Sequence, residues 1–286
     1  MTLDPRLNAF RDDLADTALR GKVEVPRYAD GKPARVAVGL APVRCAAPPQ
    51  DAPIDTFFHY GERVSVFDER DGYAWCQSQR DGYVGYVDAS TLANGETPAP
   101  TRYIANLGAY RYAEPDLRSS VIDFLPRHCP VAVAQSGLLC RGAAYARLEG
   151  GGFLPELCLS PEPPRSADLA AAAALYVGCA YLWGGRSFLG IDCSGLVQEA
   201  FRDLGITVLR DTDMQRETIG STVPIADLGE LRRNDLIYIP GHVAIVAGDG
   251  VVIHASGYEM MVRQDDLTVL MHRWGYCLAD LTIRRP

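Results

Sequence analysis

Residues 190–201, GIDCSGLVQEAF, carry the most informative pattern in this chain of 286 residues. Four apolar residues follow Cys193 at helical spacing, which predicts an amphipathic helix with the cysteine on its apolar face: Leu196, Val197, Ala200 and Phe201. A cysteine on such a face is usually a small buried hydrophobe. Cys193 also lies in the predicted first turn, however, where unpaired backbone N–H groups and the helix dipole favour a thiolate. The segment by itself leaves the role of the sulfur open.

The overall composition excludes several classes of protein. With 28 basic and 36 acidic residues, the net charge of −8 provides no basic surface for nucleic acid or anionic lipid. The first residues are charged and lack the apolar core of a signal peptide. The longest apolar run, residues 169–183, is short for a membrane span. We therefore expect a cytoplasmic protein with no nucleic-acid or membrane partner. We also expect a monomer, although the composition does not bear on the oligomeric state.

The eight cysteines are scattered singly among apolar neighbours. No two of them form a Cys-x-x-Cys pair, which argues against a zinc ribbon or a redox motif. We interpret them as free thiols in a reducing cytosol, and we expect no metal and no other cofactor.

Two stretches of similar sequence are related by an offset of 67 residues, without a gap. The aligned pairs include Arg44 with Arg111, Ile54 with Val121, Phe57 with Phe124, Val64 with Val131, and Tyr86 with Phe153. The repeated unit is rich in short β-type runs, such as RVSVFD, that end at Gly, Pro or Asp. This pattern predicts a small β-barrel present twice.

The predicted organisation has four parts, and Pro-rich polar linkers at 93–101 and 160–166 separate the last three. They are an N-terminal extension over 1–30, helical at first and then a polar strand or loop, barrels over 31–97 and 98–162, and a C-terminal domain over 163–286. In the last of these, Ser166 is the expected N-cap of a helix with Asp168 in its first turn. The Cys193 helix follows, and then a run of strands, which predicts an α+β domain: 234–240, 242–248, 251–256 and 277–285.

Two of the five histidines, His242 and His254, lie on strands joined by the hairpin signal Gly248-Asp249-Gly250. A two-residue turn would place the two imidazoles on opposite faces of the sheet. A three-residue loop would instead set His254 opposite Ala244, with His242 as its diagonal neighbour on the same face. Gly250 suits the left-handed residue that ends such a loop. We predict this loop, or an equivalent bulge, with both imidazoles on one face.

If that face packs against the N-terminus of the Cys193 helix, Cys193, His242 and His254 form a chain suited to nucleophilic catalysis. One imidazole takes the proton of the thiol, a third polar group holds its tautomer, and backbone N–H groups stabilise an oxyanion. A structural cysteine, and a zinc site made of one cysteine and two histidines, are the alternatives.

Four segments together resemble the NlpC/P60 peptidases, a papain-like family: YLWGGRSFLGIDCSGLVQEAF (181–201), RDTDMQ (210–215), RRNDLIYI (232–239) and GHVAIVAGDGVVIHAS (241–256). The resemblance covers about residues 166–286, and the preceding repeat resembles tandem bacterial SH3 (SH3b) domains. The whole arrangement is similar to the γ-D-glutamyl-L-diamino-acid endopeptidases. The fold that it implies is multidomain, with two small SH3-like β-barrels followed by an α+β papain-like domain.

The resemblance also implies roles for individual residues. Cys193 would be the nucleophile, His242 the base and His254 the orienting third member. Tyr181 would contribute its hydroxyl to the oxyanion hole, and Trp183 would shape the cleft. For these two aromatic residues, a place in the core beside the Gly-Gly turn is the alternative.

Further positions match those that contact substrate in the family. Asp192 and Ser194 flank the nucleophile. Asp211 and Thr212 match the segment that meets the N-terminal side of the peptide, although Asp211 could instead simply begin a helix with Thr212 as N-cap.

The first barrel would also contribute to substrate binding. Tyr83 is the candidate to cap the cleft, because the repeat alignment assigns Tyr86 to the core. Asp55 or Glu62 would receive the free amine of the substrate.

The implied function is a cytosolic cysteine peptidase that acts on short murein peptides with a free L-Ala terminus, in peptidoglycan recycling. It would hydrolyse the bond between γ-linked D-Glu and meso-diaminopimelate or L-Lys. Two alternatives belong to other classes: a catalytically inactive protein that binds cell wall or peptide, and an amidase or acyltransferase that uses the same Cys-His-His triad.

Overall fold

The computed structural model describes residues 3–46, 52–95 and 99–286. The predicted boundary between the two barrels, at 97/98, and the middle of the linker at 93–101 lie outside the described residues. The chain divides into two compact units, residues 1–164 and residues 165–286. Among the described residues, no helix has the length and the apolar composition needed to cross a bilayer.

The N-terminal segment forms a small sheet, so the predicted helical extension is wrong. Its strands are β1 (Phe10–Arg11), β2 (Leu14–Asp16) and β3 (Arg27–Ala29). Strands β1 and β2 form a hairpin across Asp12 and Asp13, and β3 runs parallel to β2. Ala9 and Leu14 are buried against Trp75 and its neighbours. This burial outweighs the weak helical spacing of the segment.

The first repeat folds into a seven-stranded antiparallel sheet. Its strands are β4 (Lys32–Val36), β5 (Leu40–Arg44), β6 (Ile54–His59), β7 (Arg63–Arg70), β8 (Tyr73–Ser78), β9 (Val84–Asp88) and β10 (Leu92–Asn94). They are hydrogen-bonded in the order β10-β4-β7-β8-β9-β5-β6. Alternate residues point inward and form a core that includes Val36, Val43, Phe58, Val64 and Val87.

The described part of the second repeat contains eight strands. They are β11 (Arg102–Ile104), β12 (Gly108–Tyr112), β13 (Val121–Pro126), β14 (Pro130–Val131), β15 (Val133–Cys140), β16 (Ala143–Leu148), β17 (Phe153–Pro155) and β18 (Leu159–Ser160). The order β13-β12-β17-β16-β15 repeats the order β6-β5-β9-β8-β7 of the first sheet. The remaining strands pair as β14-β11-β18.

The repeat alignment needs one gap, which corrects the gap-free prediction. Arg44 pairs with Tyr86 in the first repeat, and Tyr112 pairs with Phe153 in the second. Arg44 is therefore equivalent to Tyr112, not to Arg111. The connection that follows is one residue shorter in the second repeat, because Ile54 and Val121 pair with these same two residues.

The second unit is an α+β fold, as the sequence predicts. Its helices are α1 (Leu169–Ala174), α2 (Cys193–Asp203), α3 (Thr212–Thr218) and α4 (Leu267–Trp274). Its strands are β19 (Arg186–Ser187), β20 (Gly190–Ile191), β21 (Ser221–Thr222), β22 (Leu236–Ile239), β23 (His242–Gly248), β24 (Val251–Ser256), β25 (Met261–Asp266) and β26 (Thr282–Arg285). Strand β25 and helix α4 were not predicted.

A six-stranded antiparallel sheet, in the order β21-β26-β22-β23-β24-β25, is the framework of this unit. Helices α1 and α2 contact β23 and β24. One face of the sheet is covered by α4, whose Leu267 and Leu270 pack on Ile237, Val246 and Val252.

Helix α1 begins two residues later in the structure than in the predicted scheme. The residue that caps it is Asp168, whose carboxylate accepts from the N–H of Ala171 at 2.7 Å. The assignment of the N-cap to Ser166 is therefore wrong.

Candidate active site

Cys193 is the first residue of α2, and the apolar face predicted for this helix is buried. Asp192 is the N-cap, and its carboxylate accepts from the N–H of Gly195 at 2.7 Å. This cap satisfies one of the free N–H groups of the first turn. The residue as a whole is only 7% exposed. It therefore lies at the end of the buried face, where the first turn begins.

Glycine is required where the first turn of α2 meets the preceding loop. A Cβ atom at Gly195 would lie 2.2 Å from the carbonyl oxygen of Gly185. The same loop is tied to the helix by the N–H of Gly184, which donates to Asp192 at 2.8 Å. The Gly-Gly turn and the N-terminus of α2 thus form one closely packed substructure that positions Cys193.

A buried arginine, Arg210, holds the residues on both sides of the cysteine. Its guanidinium donates to the two carboxylate oxygens of Asp192 at 3.0 and 2.6 Å, and to the hydroxyl of Ser194 at 2.7 Å. Both carboxylate oxygens of Asp192 therefore accept hydrogen bonds from the protein, and this side chain holds the turn before α2. Sequence reasoning missed Arg210, although it begins the segment RDTDMQ.

The hairpin of β23 and β24 has the predicted register. Ile245 pairs with Ile253 and Val246 with Val252, before a bulge shifts the last pair to Gly248 and Val251. The turn itself has two residues, Asp249 and Gly250, both with positive φ. The three-residue loop is thus replaced by its predicted equivalent, a bulge next to a tight turn.

The two histidines lie on one face and are hydrogen-bonded to each other. Nε2 of His242 is 2.9 Å from Nδ1 of His254. The relay continues to a residue that was not predicted, because Nε2 of His254 is 3.1 Å from Oδ2 of Asp265. The ring of Trp274 on α4 lies edge-on to both imidazoles, with centroids 5.3 and 5.7 Å away.

The imidazole-bearing face is covered by α4, which packs Trp274 on both rings. Cys193 meets the hairpin at the start of β23. Its sulfur is 4.0 Å from the carbonyl oxygen of Gly241 and also faces the backbone N–H of Val243. The thiol therefore lies beside the backbone on both sides of His242.

Burial keeps both the thiol and the imidazoles neutral. It raises the pKa of Cys193 to about 11; the charge of Asp192 adds to the increase, and contacts with Thr212 and Val243 oppose it. Burial, together with the neighbouring His254, lowers the pKa of His242 to about 3. The pKa of His254 is also lowered by burial, which outweighs its bond to Asp265. At neutral pH the site holds a thiol and two neutral imidazoles.

The two aromatic residues before the cysteine differ in exposure. Tyr181 is half-buried, forms a bridge with Ile191, and donates its N–H to the carbonyl of Met260 at 2.9 Å. Burial, followed by negative charge at Cys193 and Asp192, raises the pKa of its phenol to about 12. Trp183 is 66% exposed, so the alternative of a core aromatic is wrong for this residue.

Helix α3 brings Thr212 to the thiol. Asp211 occupies its N-cap position and Thr212 is its first residue, so the alternative with Thr212 as N-cap is wrong. The hydroxyl of Thr212 lies 3.9 Å from the Cys193 sulfur. Gln215, one turn later, donates to the carbonyl of Ser194 at 3.0 Å and thereby ties α3 to α2.

In the first unit, the assignment of Tyr86 rather than Tyr83 to the core is wrong. Tyr83 is 4% exposed and belongs to the core of the first barrel. It precedes β9 in a tight turn after Gly82, so the alternation of the strand does not extend to it. Tyr86 is half-buried beside Trp75, where its hydroxyl accepts from Arg11 at 3.2 Å.

The two candidate acidic residues of the first barrel differ in their burial. Glu62 is buried and forms an ion pair with Arg80 at 3.0 Å. Asp55 lies on β6 and is half-buried.

The zinc site considered from the sequence is not formed. Across residues 3–46, 52–95 and 99–286, no group of three or more His, Cys, Asp or Glu side chains is arranged to hold a metal ion. The nitrogens of the two histidines that face each other are occupied by their mutual hydrogen bond.

Comparison with known families identifies two regions of the chain. Residues 178–274 match the NlpC/P60 family, and residues 45–92 match the bacterial dipeptidyl-peptidase Sh3 domain. The first region contains α2, the hairpin and the relay. The second contains most of the first barrel.

Two curated relatives are similar to this chain over part of their length. The chain is 36% identical over 101 residues to dipeptidyl-peptidase 6 of Lysinibacillus sphaericus, which covers 35% of this chain and 36% of that protein. It is 26% identical over 229 residues to a γ-D-glutamyl-L-lysine dipeptidyl-peptidase of Bacillus cereus, covering 71% and 67% of the two chains. The chain thus spans about a third of the length of the first relative and two thirds of the second.

One solved structure, an NlpC/P60 family protein from Bacillus cereus, shares the fold. It superposes with a TM-score of 0.71 at 20% identity, over 89% of this chain and 99% of that one.

Proposed function

We propose that this chain, which carries a domain of the NlpC/P60 cysteine peptidase family after a bacterial SH3 domain, hydrolyses the γ-D-glutamyl bond to a diamino acid in short murein peptides. One observation carries the proposal. A buried thiol at the start of a helix lies beside the backbone of Gly241 and Val243, and His242 between them begins a hydrogen-bonded relay through His254 to Asp265.

The relay assigns the proton transfers. Since Nε2 of His242 is bonded to His254, its Nδ1 is the nitrogen left to accept the proton of the Cys193 thiol. The sulfur then attacks the peptide carbonyl and forms a tetrahedral oxyanion. N–H groups of the first turn of α2 and the hydroxyl of Tyr181 are suited to stabilise this oxyanion.

When the oxyanion collapses, the bond between the glutamyl carbonyl and the amine of the diamino acid breaks. His242 returns the proton to the amine of the diamino acid, which leaves, and a thioester joins the glutamyl carbonyl to Cys193. His242 then takes a proton from water, the hydroxide attacks the thioester, and the thiol and the free carboxylic acid are released.

The choice of substrate is supported by the relatives. The Bacillus cereus relative, matched over 71% of this chain, is a γ-D-glutamyl-L-lysine dipeptidyl-peptidase by name. We propose that the substrate has a free N-terminal L-Ala, whose amine is bound by Asp55 or Glu62 of the first barrel. Either meso-diaminopimelate or L-Lys would follow the glutamyl residue.

We further propose that residues 98–162 are a second SH3-like barrel. Five consecutive strands follow the same order in the two sheets, which supports this assignment. All eight cysteines are free thiols, which fits a role in a reducing compartment and in recycling of murein peptides.

The test uses L-Ala-γ-D-Glu-meso-diaminopimelate and the corresponding L-Lys tripeptide. Mass spectrometry should detect L-Ala-γ-D-Glu and the free diamino acid with wild-type protein, and no product with Cys193→Ala. Binding without cleavage by wild type would establish a binding protein instead. Release of a product other than the glutamyl dipeptide would indicate a different acyl transfer.

A further inference from the structure

Asp265 is the last residue of the hydrogen-bonded relay and lies one strand beyond the two histidines. In the pairing of β24 with β25, Val252 is opposite Asp265 and His254 is opposite Arg263. Asp265 is therefore the diagonal neighbour of His254 on the same face. Its Oδ2 is 3.1 Å from Nε2 of His254, and its Oδ1 accepts from Arg263 at 3.1 Å.

The carboxylate of Asp265, at the end of the relay, determines which atom donates in each hydrogen bond of the relay. The carboxylate of Asp265 is ion-paired with Arg263, and a carboxylate can only accept hydrogen bonds. Nε2 of His254 must then carry its proton, which leaves Nδ1 of the neutral ring as an acceptor. That acceptor requires a proton on Nε2 of His242. Nδ1 of His242 is consequently bare, as a base for the thiol requires.

The surroundings hold this arrangement in place. His254 is 1% exposed, and Trp274 covers both rings from the α4 side. Among the described residues, Glu259 also acts on His254 through its charge, and it is itself ion-paired with Arg273. A buried pair of imidazoles whose outer partner is a carboxylate has one consistent set of proton positions.

We propose that Asp265 is a positioning residue that fixes the tautomers of both histidines and so makes Nδ1 of His242 the proton acceptor. This inference rests on the proposed function for its catalytic consequence, but the tautomers themselves are a property of the free protein. Asp265 acts through His254 and does not touch the reacting atoms.

The first test measures tautomers without substrate. In protein labelled with ¹⁵N-histidine, two-bond ¹H–¹⁵N correlations distinguish the two tautomers, and the chain has only five histidines to assign. We expect the Nε2–H tautomer at both His242 and His254 near neutral pH. The Nδ1–H tautomer at either ring would overturn the proposal, whether or not the protein cleaves murein peptides.

The second test is Asp265→Asn. Arg263 can only donate, so it attracts the amide oxygen and turns the NH₂ group toward His254. Both rings should then change to the Nδ1–H tautomer. We expect kcat to fall about 100-fold with little change in KM, less than the roughly 10⁴-fold loss seen when the altered group touches the base directly.

Arg263→Gln is the matched control, because it removes the other partner of Asp265 and leaves the relay intact. We expect it to retain the wild-type tautomers and activity. If Asp265→Asn retains wild-type tautomers and kcat, the proposal is overturned, while cleavage by wild type would still support the proposed function. Should Asp265→Asn not fold, the wild-type tautomers still decide the question.

Discussion

The guanidinium of Arg210 makes two hydrogen bonds to the carboxylate of Asp192, the residue directly before the candidate nucleophile. Arg210 is 1% exposed and Asp192 is 6% exposed, so the pair is shielded from water. It joins the segment before α3 to the cap of α2. The position of the Cys193 sulfur therefore depends on an ion pair as well as on apolar packing.

Arg210→Met should strongly destabilise the second unit. Removing one member of a buried pair leaves an uncompensated charge, and the free energy of unfolding should fall by about 3–5 kcal/mol. Urea denaturation measures this change. The exposed ion pair of Arg233 with Asp168 supplies the control. Arg233→Met should lower the free energy of unfolding by less than about 1 kcal/mol. Equal effects of the two variants would show that Arg210 does not have this role.

Alkylation of Cys193 should accelerate with pH. Because the pKa of its thiol is raised to about 11 and that of His242 is lowered to about 3, no thiolate–imidazolium pair is formed at neutral pH. The rate with iodoacetamide should therefore rise steadily between about pH 5 and pH 8.5. Peptide-resolved mass spectrometry separates this thiol from exposed Cys277, an internal reference. A constant rate over that range would contradict the neutral pair.

Acid should destabilise the protein through His242. Its pKa falls from 6.5 in the unfolded chain to about 3 in the folded one, so the unfolded chain binds the proton more tightly. The resulting stability is fully present above pH 6.5 and is lost as pH falls toward the folded value. Urea denaturation from about pH 7 to about pH 4 should show a shallower decline for His242→Gln than for wild type.

The control for this measurement is His272→Gln, since His272 is exposed on α4. That variant should keep the wild-type dependence on pH. Identical curves for wild type and His242→Gln would mean that burial of this imidazole does not contribute to acid sensitivity.

Either Asp55→Asn or Glu62→Gln should weaken binding of the substrate amine. Loss of a charge-assisted hydrogen bond should raise KM for the free L-Ala peptide about 10- to 100-fold. The N-acetylated peptide, which lacks the charge, is the control substrate and should be cleaved equally by wild type and by that variant. If neither variant distinguishes the two peptides, the first barrel does not supply the amine site.

Some of the site followed directly from local sequence patterns. The apolar spacing after Cys193 predicted α2 and its buried face, and Gly248-Asp249-Gly250 predicted a hairpin whose register places both imidazoles on one face. Both features depend on residues close together in the chain, where helical period and turn chemistry determine the structure.

Other residues escaped prediction because their partners are distant in sequence. Asp265 joins the relay only when β25 pairs with β24, and that strand was not recognised from MVRQDD. From the sequence, Arg210 looks like a polar residue of a loop. Its partner Asp192 is 18 residues away and comes near only when α3 packs beside α2. Tyr83 looked like an outward residue of a strand because the turn after Gly82 could not be placed.

The sequence by itself determined the helix that presents Cys193, the hairpin that carries His242 and His254, and the strand-rich repeat before them. Only the tertiary structure decided which partners hold these groups: Arg210 on the cap of the helix, Asp265 at the end of the relay, and α4 over the imidazole face. The reason is physical. Local periodicity sets the direction of a side chain along its own element, whereas ion pairs, proton positions and burial depend on which distant elements pack together.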